Sequence, residues 1–332
     1  MIPLLPACTL EAIATPENLL LAATKARRGK SRRPDVETWW QRRESEVIRL
    51  SMELGSGTWR PSGYRFFEIH DPKRRTIAAA PFADRVVHHA LCNFMAPLLE
   101  RRFIARSFSC QIGKGTTTAR ECCRMLVNRH RYVLKCDVRK FYPSLDHEVL
   151  MEKLRQVIHC PGVLALCQGI IDSHQTPERP NLCGLPIGNL TSQLWGNFYL
   201  DKLDHHLTEG ERHGAYLRYT DDFLVFANDK ARLDVIRDVI VEELTQVRLN
   251  LAEPKSRLLI CHEGVPFCGF RFLPGQRPRV LGTTKRRFER RRHLLIKYGH
   301  DPTKLTQTIF AWYQFSQEGN TEGLKREWMR YK

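Results

Sequence analysis

The sequence predicts an α+β fold. Three observations carry that expectation. Val87, Leu91, Phe94 and Leu98 recur at helical spacing between Asp84 and Leu99. Gly63–His70 and Thr76–Ala80 alternate like two strands around a basic turn, Asp71-Pro-Lys-Arg-Arg75. From Gly214 to Ala227, apolar and β-prone residues flank two adjacent acids, Asp221 and Asp222. That pattern reads as strand, tight turn and strand. Hairpins of this kind build antiparallel sheet, and the long helical stretches elsewhere must cover it.

The remaining elements follow in order. Leu10 to about Leu54 reads as helical, broken by the basic linker Lys25–Arg33, with Trp39 and Trp40 opening its second part. Ser107 to Thr116 is a glycine-containing loop before a helix. It does not make a phosphate-binding P-loop, because Phe108 stands where a glycine is needed and Gly115 follows Lys114. Arg131–Val138 reads as a buried strand ending near Asp137, and Pro143 and Ser144 separate it from a helix over Asp146–Val157. Gly184–Gly188 is a turn, and a helix is expected from Thr191 to about Leu207. Leu233–Leu244 reads as a helix, and Val247–Ala252, Arg257–Ile260 and Phe267–Phe272 as short strands. The end, from Thr284, is helical and basic, led by Lys285, Arg286 and Arg287.

Composition narrows the class. With 53 basic against 36 acidic residues the chain carries a net charge of +17, which calls for a polyanionic partner such as nucleic acid. Its 332 residues allow about two or three domains. The 11 cysteines are scattered with no Cys-x-x-Cys pair, as suits reduced thiols in a cytoplasm. Cys160, Cys167, His174 and Cys183 match no paired zinc-ligand spacing, so a zinc site is not expected. Prolines interrupt the apolar start and no apolar run approaches the ~20 residues of a membrane span, so neither a signal peptide nor a membrane partner is expected.

The acids carry the chemistry. Adjacent aspartates repel each other, and a divalent cation reverses that by neutralising both. Hard cations such as Mg²⁺ take oxygen ligands. Asp137, at a predicted strand end, supplies a third carboxylate, and Lys140, Phe141 and Tyr142 follow it as a floor for a nucleotide. Three carboxylates from two places suit two-metal phosphoryl transfer.

These blocks resemble, in order, those of reverse transcriptases over roughly residues 60–275. Lys73-Arg-Arg75 with Ile77 and Asp84-Arg85 resembles the fingers block that binds the incoming triphosphate. Asp137-Val-Arg-Lys-Phe-Tyr142 resembles the first metal-binding block, Tyr142 falling where the family places its steric gate. Leu185-Pro-Ile-Gly-Asn-Leu-Thr-Ser-Gln193 resembles the block packed on the template–dNTP pair. Tyr219-Thr-Asp-Asp222 matches the Tyr-x-Asp-Asp box, Asn250 with Lys255 the lysine-bearing block, and Phe267-Cys-Gly-Phe270 the primer grip.

The resemblance implies a right-hand polymerase: an N-terminal helical extension over 1–60, fingers over 61–130, a palm over 131–272 with residues 145–190 partly fingers or connection, and a basic helical thumb over 273–332. It implies two Mg²⁺, with Mn²⁺ able to substitute, on Asp137, Asp221 and Asp222 and the Val138 backbone. It implies dNTP contacts from Lys73, Arg75, Tyr142, Ile187, Gly188 and Lys255. Arg85, Ser192, Gln193, Tyr219, Phe267, Gly269, Lys285, Arg286 and Arg287 would contact template and primer. Ile187 and Gln193, with Ser107-Phe-Ser-Cys and Gly113-Lys-Gly-Thr116, resemble in particular the enzymes of bacterial and phage diversity-generating retroelements. Those copy an RNA template with errors at adenines and work with a small basic accessory protein. An antiphage or retron-type enzyme with its own noncoding RNA is the rival within the family. A non-catalytic RNA-binding protein is the rival outside it. No RNase H module is expected.

Overall fold

The structure, a computed structural model, describes residues 8–70, 74–174, 182–211, 213–253, 255–298 and 302–323. The chain opens with four helices, α1 (Leu10–Ala14), α2 (Pro16–Arg27), α3 (Pro34–Gln41) and α4 (Arg43–Gly55). Thr9 and Thr15 cap the first two through their side chains, satisfying amides that the helix itself leaves unpaired. The hairpin β1 (Arg65–Ile69) and β2 (Arg75–Ala79) follows, then the long helix α5 (Phe82–Glu100). Val86, Val87, Ala90, Leu91, Met95 and Leu99 form its buried stripe, against which α2 packs.

Next come α6 (Thr116–Arg129), β3 (Tyr132–Asp137), α7 (Phe141–Ser144), α8 (His147–Arg155), α9 (Pro161–Asp172), α10 (Leu190–Tyr199) and α11 (Asp201–His205), which runs into a π-turn over His206–Gly210. The hairpin β4 (Tyr216–Tyr219) and β5 (Asp222–Ala227), helix α12 (Lys230–Gln246) and β6 (Arg257–Ile260) complete the central layer. A small sheet of β7 (Val265–Phe267), β8 (Phe270–Phe272) and β9 (Arg279–Val280) leads into α13 (Gly282–Lys297) and α14 (Pro302–Ser316).

The central sheet has the order β4-β5-β3-β6, antiparallel throughout. Successive side chains point to opposite faces, and the two faces bury separate cores. Leu134, Cys136, Phe223 and Val225 face α12 and the main helical core. Val133, Leu224 and Phe226 face α6 and the small sheet. Lys135, Asp137 and Asp222 keep the phase of this second face.

Three expectations need correction. Phe267–Phe272 is not one strand but the hairpin β7–β8, because Cys268 and Gly269 take φ of +42° and +88° and reverse the chain. Val247–Ala252 is not a strand. Arg248 has φ +57°, and Leu251 alone bridges to Val138. The helix expected from Thr191 to Leu207 breaks at Leu200, where ψ is 2°, and ends in the π-turn. Among the described residues no helix is long and apolar enough to cross a membrane.

Candidate active site

The register of the central sheet assembles the acids. Asp137, the last residue of β3, lies directly opposite Asp222, the first of β5. Tyr219 pairs with Asp222, leaving Thr220 and Asp221 as a two-residue hairpin loop. Such loops favour positive φ, and Thr220 has φ +59°. The Val138 amide donates to the Asp221 carbonyl at 3.3 Å, and the Ala252 amide donates to the Asp137 carbonyl at 2.7 Å. Three acidic residues thus share one end of the sheet, where opposed like charges are destabilising.

The local electrostatics follow from that crowding. Burial, then the charges of Asp137 and Asp222, hold the Asp221 carboxyl above its ordinary range. Burial raises Asp222 as well, against the pull of Lys135. Lys135 donates to both Asp222 oxygens at 2.7 and 2.8 Å and to the Pro266 carbonyl at 3.2 Å. Lys255 donates to Asp137 Oδ1.

The donor set fits a hard divalent cation: three carboxylates, with no competing thiolate or imidazole among them. Among the described residues no three acidic, His or Cys side chains close around one point. Asp137 and Asp222 are instead drawn to their lysines. A cation bound here would take the place of lysine charge on Asp137 and Asp222.

The other expected residues are distributed around this centre. Tyr142, on α7, packs its ring beside Phe141 at 5.2 Å between centroids. Both rings lie against Gly196 of α10, where a Cβ would stand 3.2 Å from each. Gly188, with φ +118°, abuts Ile77 of β2, so the loop carrying Ile187 touches the β1–β2 hairpin. Arg75 is exposed on β2, and Lys73 lies outside the described residues. Ser192 is buried with its hydroxyl unpartnered among the described residues, while Gln193 is half-buried on α10. Phe267 and Gly269 form the β7–β8 turn, which meets Thr284 of α13 and Phe315 of α14. Lys285, Arg286 and Arg287 lie on the first turns of α13. Arg85 is not brought to the carboxylates by any described contact. It pairs with Asp35 of α3 at 3.2 Å and lies over the Phe82 ring at 5.5 Å.

Sequence reasoning missed Lys135, although its spacing two residues before Asp137 places both on one strand face. It also missed Arg218, a charged residue amid the apolar run of β4, which burial obliges to find a partner.

The family model described as reverse transcriptase (RNA-dependent DNA polymerase) matches residues 70–272. Protein YkfC of Escherichia coli is 25% identical over 273 residues, covering 69% of this chain and 71% of that protein. The putative COX1/OXI3 intron 1 protein of Saccharomyces cerevisiae is 23% identical over 48% of this chain, which spans 20% of that protein. Apo telomerase from Candida tropicalis overlaps 64% of this chain and 47% of its own, with a TM-score of 0.47 and 12% identity. With its antiparallel central sheet, flanking helices and family match over more than half its length, the chain belongs to the reverse transcriptase family, the RNA-dependent DNA polymerases.

Proposed function

We propose that the chain makes cDNA on an RNA template by two-metal nucleotidyl transfer and serves a diversity-generating retroelement. The observation that carries the chemistry is the pairing of Asp137 with Asp222 beside Asp221. The family depends on divalent metal, and here Asp137, Asp221, Asp222 and the Val138 carbonyl would hold two Mg²⁺. When bound, such ions activate the primer 3′-hydroxyl and stabilise the departing pyrophosphate. Lys73 and Arg75 neutralise the β- and γ-phosphates. Tyr142 excludes the ribose 2′-hydroxyl by bulk. Lys255 protonates the leaving pyrophosphate. Ile187 and Gly188 border the incoming nucleotide. Arg85, Ser192, Gln193, Tyr219, Phe267 and Gly269 hold template and primer, with Lys285, Arg286 and Arg287 on duplex phosphates.

The division into extension (1–60), fingers (61–130), palm (131–272) and thumb (273–332) belongs to the same reading. So do a cytoplasmic location, a small basic accessory protein and a structured noncoding RNA as partners. Support for the retroelement type is the apolar Ile187: a branched alkyl group cannot donate the hydrogen bond a glutamine would, so base selection loses a contact.

The test is primer extension on a defined RNA template with Mg²⁺ and dNTPs, with and without the accessory protein, followed by sequencing. Asp221→Asn with Asp222→Asn should abolish the product. Errors concentrated opposite adenine support the retroelement assignment. Sparse, even errors move the chain to the defence or retron type. Tight RNA binding with no extension in any condition leaves only a binding protein.

A further inference from the structure

Beneath the Tyr219–Asp222 turn lies a buried ion pair that the polymerase reading does not use. Arg218 of β4 and Asp204 of α11 both have fully buried side chains. All five guanidinium N–H donors of Arg218 are engaged. Nε donates to Asp204 Oδ1 at 2.8 Å and Nη2 to Asp204 Oδ2. Nη2 also reaches the Asn197 carbonyl at 3.2 Å. Nη1 donates to Asn197 Oδ1 at 3.2 Å and to the Thr220 carbonyl at 3.0 Å. The Tyr216 hydroxyl adds a third bond to Asp204, at 2.7 Å.

The network then returns to the turn by a second route. Asn197 Nδ2 donates to the Ser109 carbonyl at 2.6 Å, and the Ser109 hydroxyl pairs with the Thr220 hydroxyl at 2.7 Å. The 106–109 segment is itself tied to β4, since the Phe108 amide donates to the Arg218 carbonyl and the Arg218 amide to the Arg106 carbonyl, each at 3.0 Å. Thr220 is thus gripped by its carbonyl and its hydroxyl. It needs that grip. A β-branched residue at φ +59° is strained and persists only where its surroundings over-determine it.

Stability does not explain the pair. A buried ion pair is weak evidence of stability, because apolar residues of the same volume often serve as well. We propose that Arg218 and Asp204, through Asn197 and Ser109, are positioning residues that hold Thr220 in its left-handed conformation and so aim Asp221 and Asp222 at a shared metal site. The inference rests on the polymerase reading of those two aspartates.

The test compares four proteins: wild type, Ser109→Ala, the triple variant Arg218→Met/Asp204→Leu/Tyr216→Phe, and that triple with Thr220→Gly added. Ser109→Ala cuts one bond to the turn and leaves the ion pair whole, so it stays informative if the triple does not fold. The triple replaces the ion pair and its tyrosine partner with apolar groups and leaves the catalytic acids untouched. Binding of Mn²⁺ is read by electron paramagnetic resonance, single-turnover extension rate and KM for dNTP by kinetics, and folding by urea denaturation. Ser109→Ala should weaken Mn²⁺ binding about fivefold, one hydrogen bond of ~1 kcal/mol. A folded triple should lose at least tenfold in both Mn²⁺ affinity and rate with KM for dNTP little changed. Thr220→Gly should recover part of that loss, because glycine takes positive φ without strain.

Wild-type Mn²⁺ affinity in Ser109→Ala, or in a folded triple, overturns the proposal. So does the absence of any rescue by glycine in a folded triple. Asp221→Asn/Asp222→Asn serves as the separate control. If it keeps Mn²⁺ binding and extension, the polymerase assignment of those acids fails, whatever the network variants do.

Discussion

Replacing Lys135 by methionine tests the carboxylate cluster without touching an acid. The ammonium sits 2.7 and 2.8 Å from the two Asp222 oxygens, and the two side chains are 16% and 30% exposed. Removing one partner of a fully buried pair costs about 3–5 kcal/mol. Partial exposure here reduces that to about 2 kcal/mol. Methionine keeps an unbranched apolar stem of similar length while removing the ammonium, which lies 5.8 Å from the Phe267 ring. Asp222 is then left facing Asp137 and Asp221 with only Lys255, which is paired to Asp137, as nearby positive charge, and a divalent metal would supply what is lost. Urea denaturation in EDTA should therefore show Lys135→Met about 2 kcal/mol less stable than wild type. At saturating Mg²⁺ the gap should narrow to below about 1 kcal/mol, because a ligand that binds the folded state more tightly stabilises it more. An equal gap in EDTA and in Mg²⁺ would refute the idea that Lys135 and metal compete for one carboxylate.

Two further predictions concern the scaffold. His88 of α5 is buried with neither ring nitrogen partnered among the described residues, and burial, then His89 and Arg85, lowers its pKa from 6.5 to about 3. The unfolded chain takes up that proton first, so stability is full above pH 6.5 and is lost as pH falls toward 3. At pH 5 this amounts to about 2 kcal/mol, and His88→Leu should lose that much less than wild type between pH 7 and 5 in urea denaturation; parallel losses would contradict it. At Gly269, φ is +88° and a Cβ would stand 2.8 Å from Phe315 Cζ. Gly269→Ala should cost about 2 kcal/mol and speed proteolysis within 302–316, and unchanged values would show that α14 is not held by this turn.

Much of the architecture was legible because its signals are local. The α5 stripe, the β4–β5 hairpin and the strand ending at Asp137 each depend on spacing within a few residues, and each forms where expected. Two of the elements that went wrong depended on single backbone conformations. Positive φ at Cys268 and Arg248 has no signature in hydrophobic pattern, since neither residue is a glycine. The helix expected after Thr191 breaks at Leu200, and beyond the break Asp201 and Asp204 pair with Arg102 and Arg218, partners outside the helix that its own periodicity does not reveal.

By itself the sequence determined that two adjacent acids, Asp221 and Asp222, sit at a turn between two strands, that Asp137 ends a third, and that the chain is strongly basic. Those properties reside in short motifs and in net charge, which need no folding to be read. The tertiary structure alone decided that Asp137 stands opposite Asp222, because a register shift of one residue would send it to the other face of the sheet. It decided that Lys135 and Lys255 supply the charge at the site and that Arg218 grips the turn from below. Each of those contacts except the last joins residues about a hundred positions apart, and no local propensity encodes a pairing at that separation. Arg218 and Thr220 are near neighbours, yet their bond depends on Asp204 and Asn197 burying the guanidinium, and only packing brings those together.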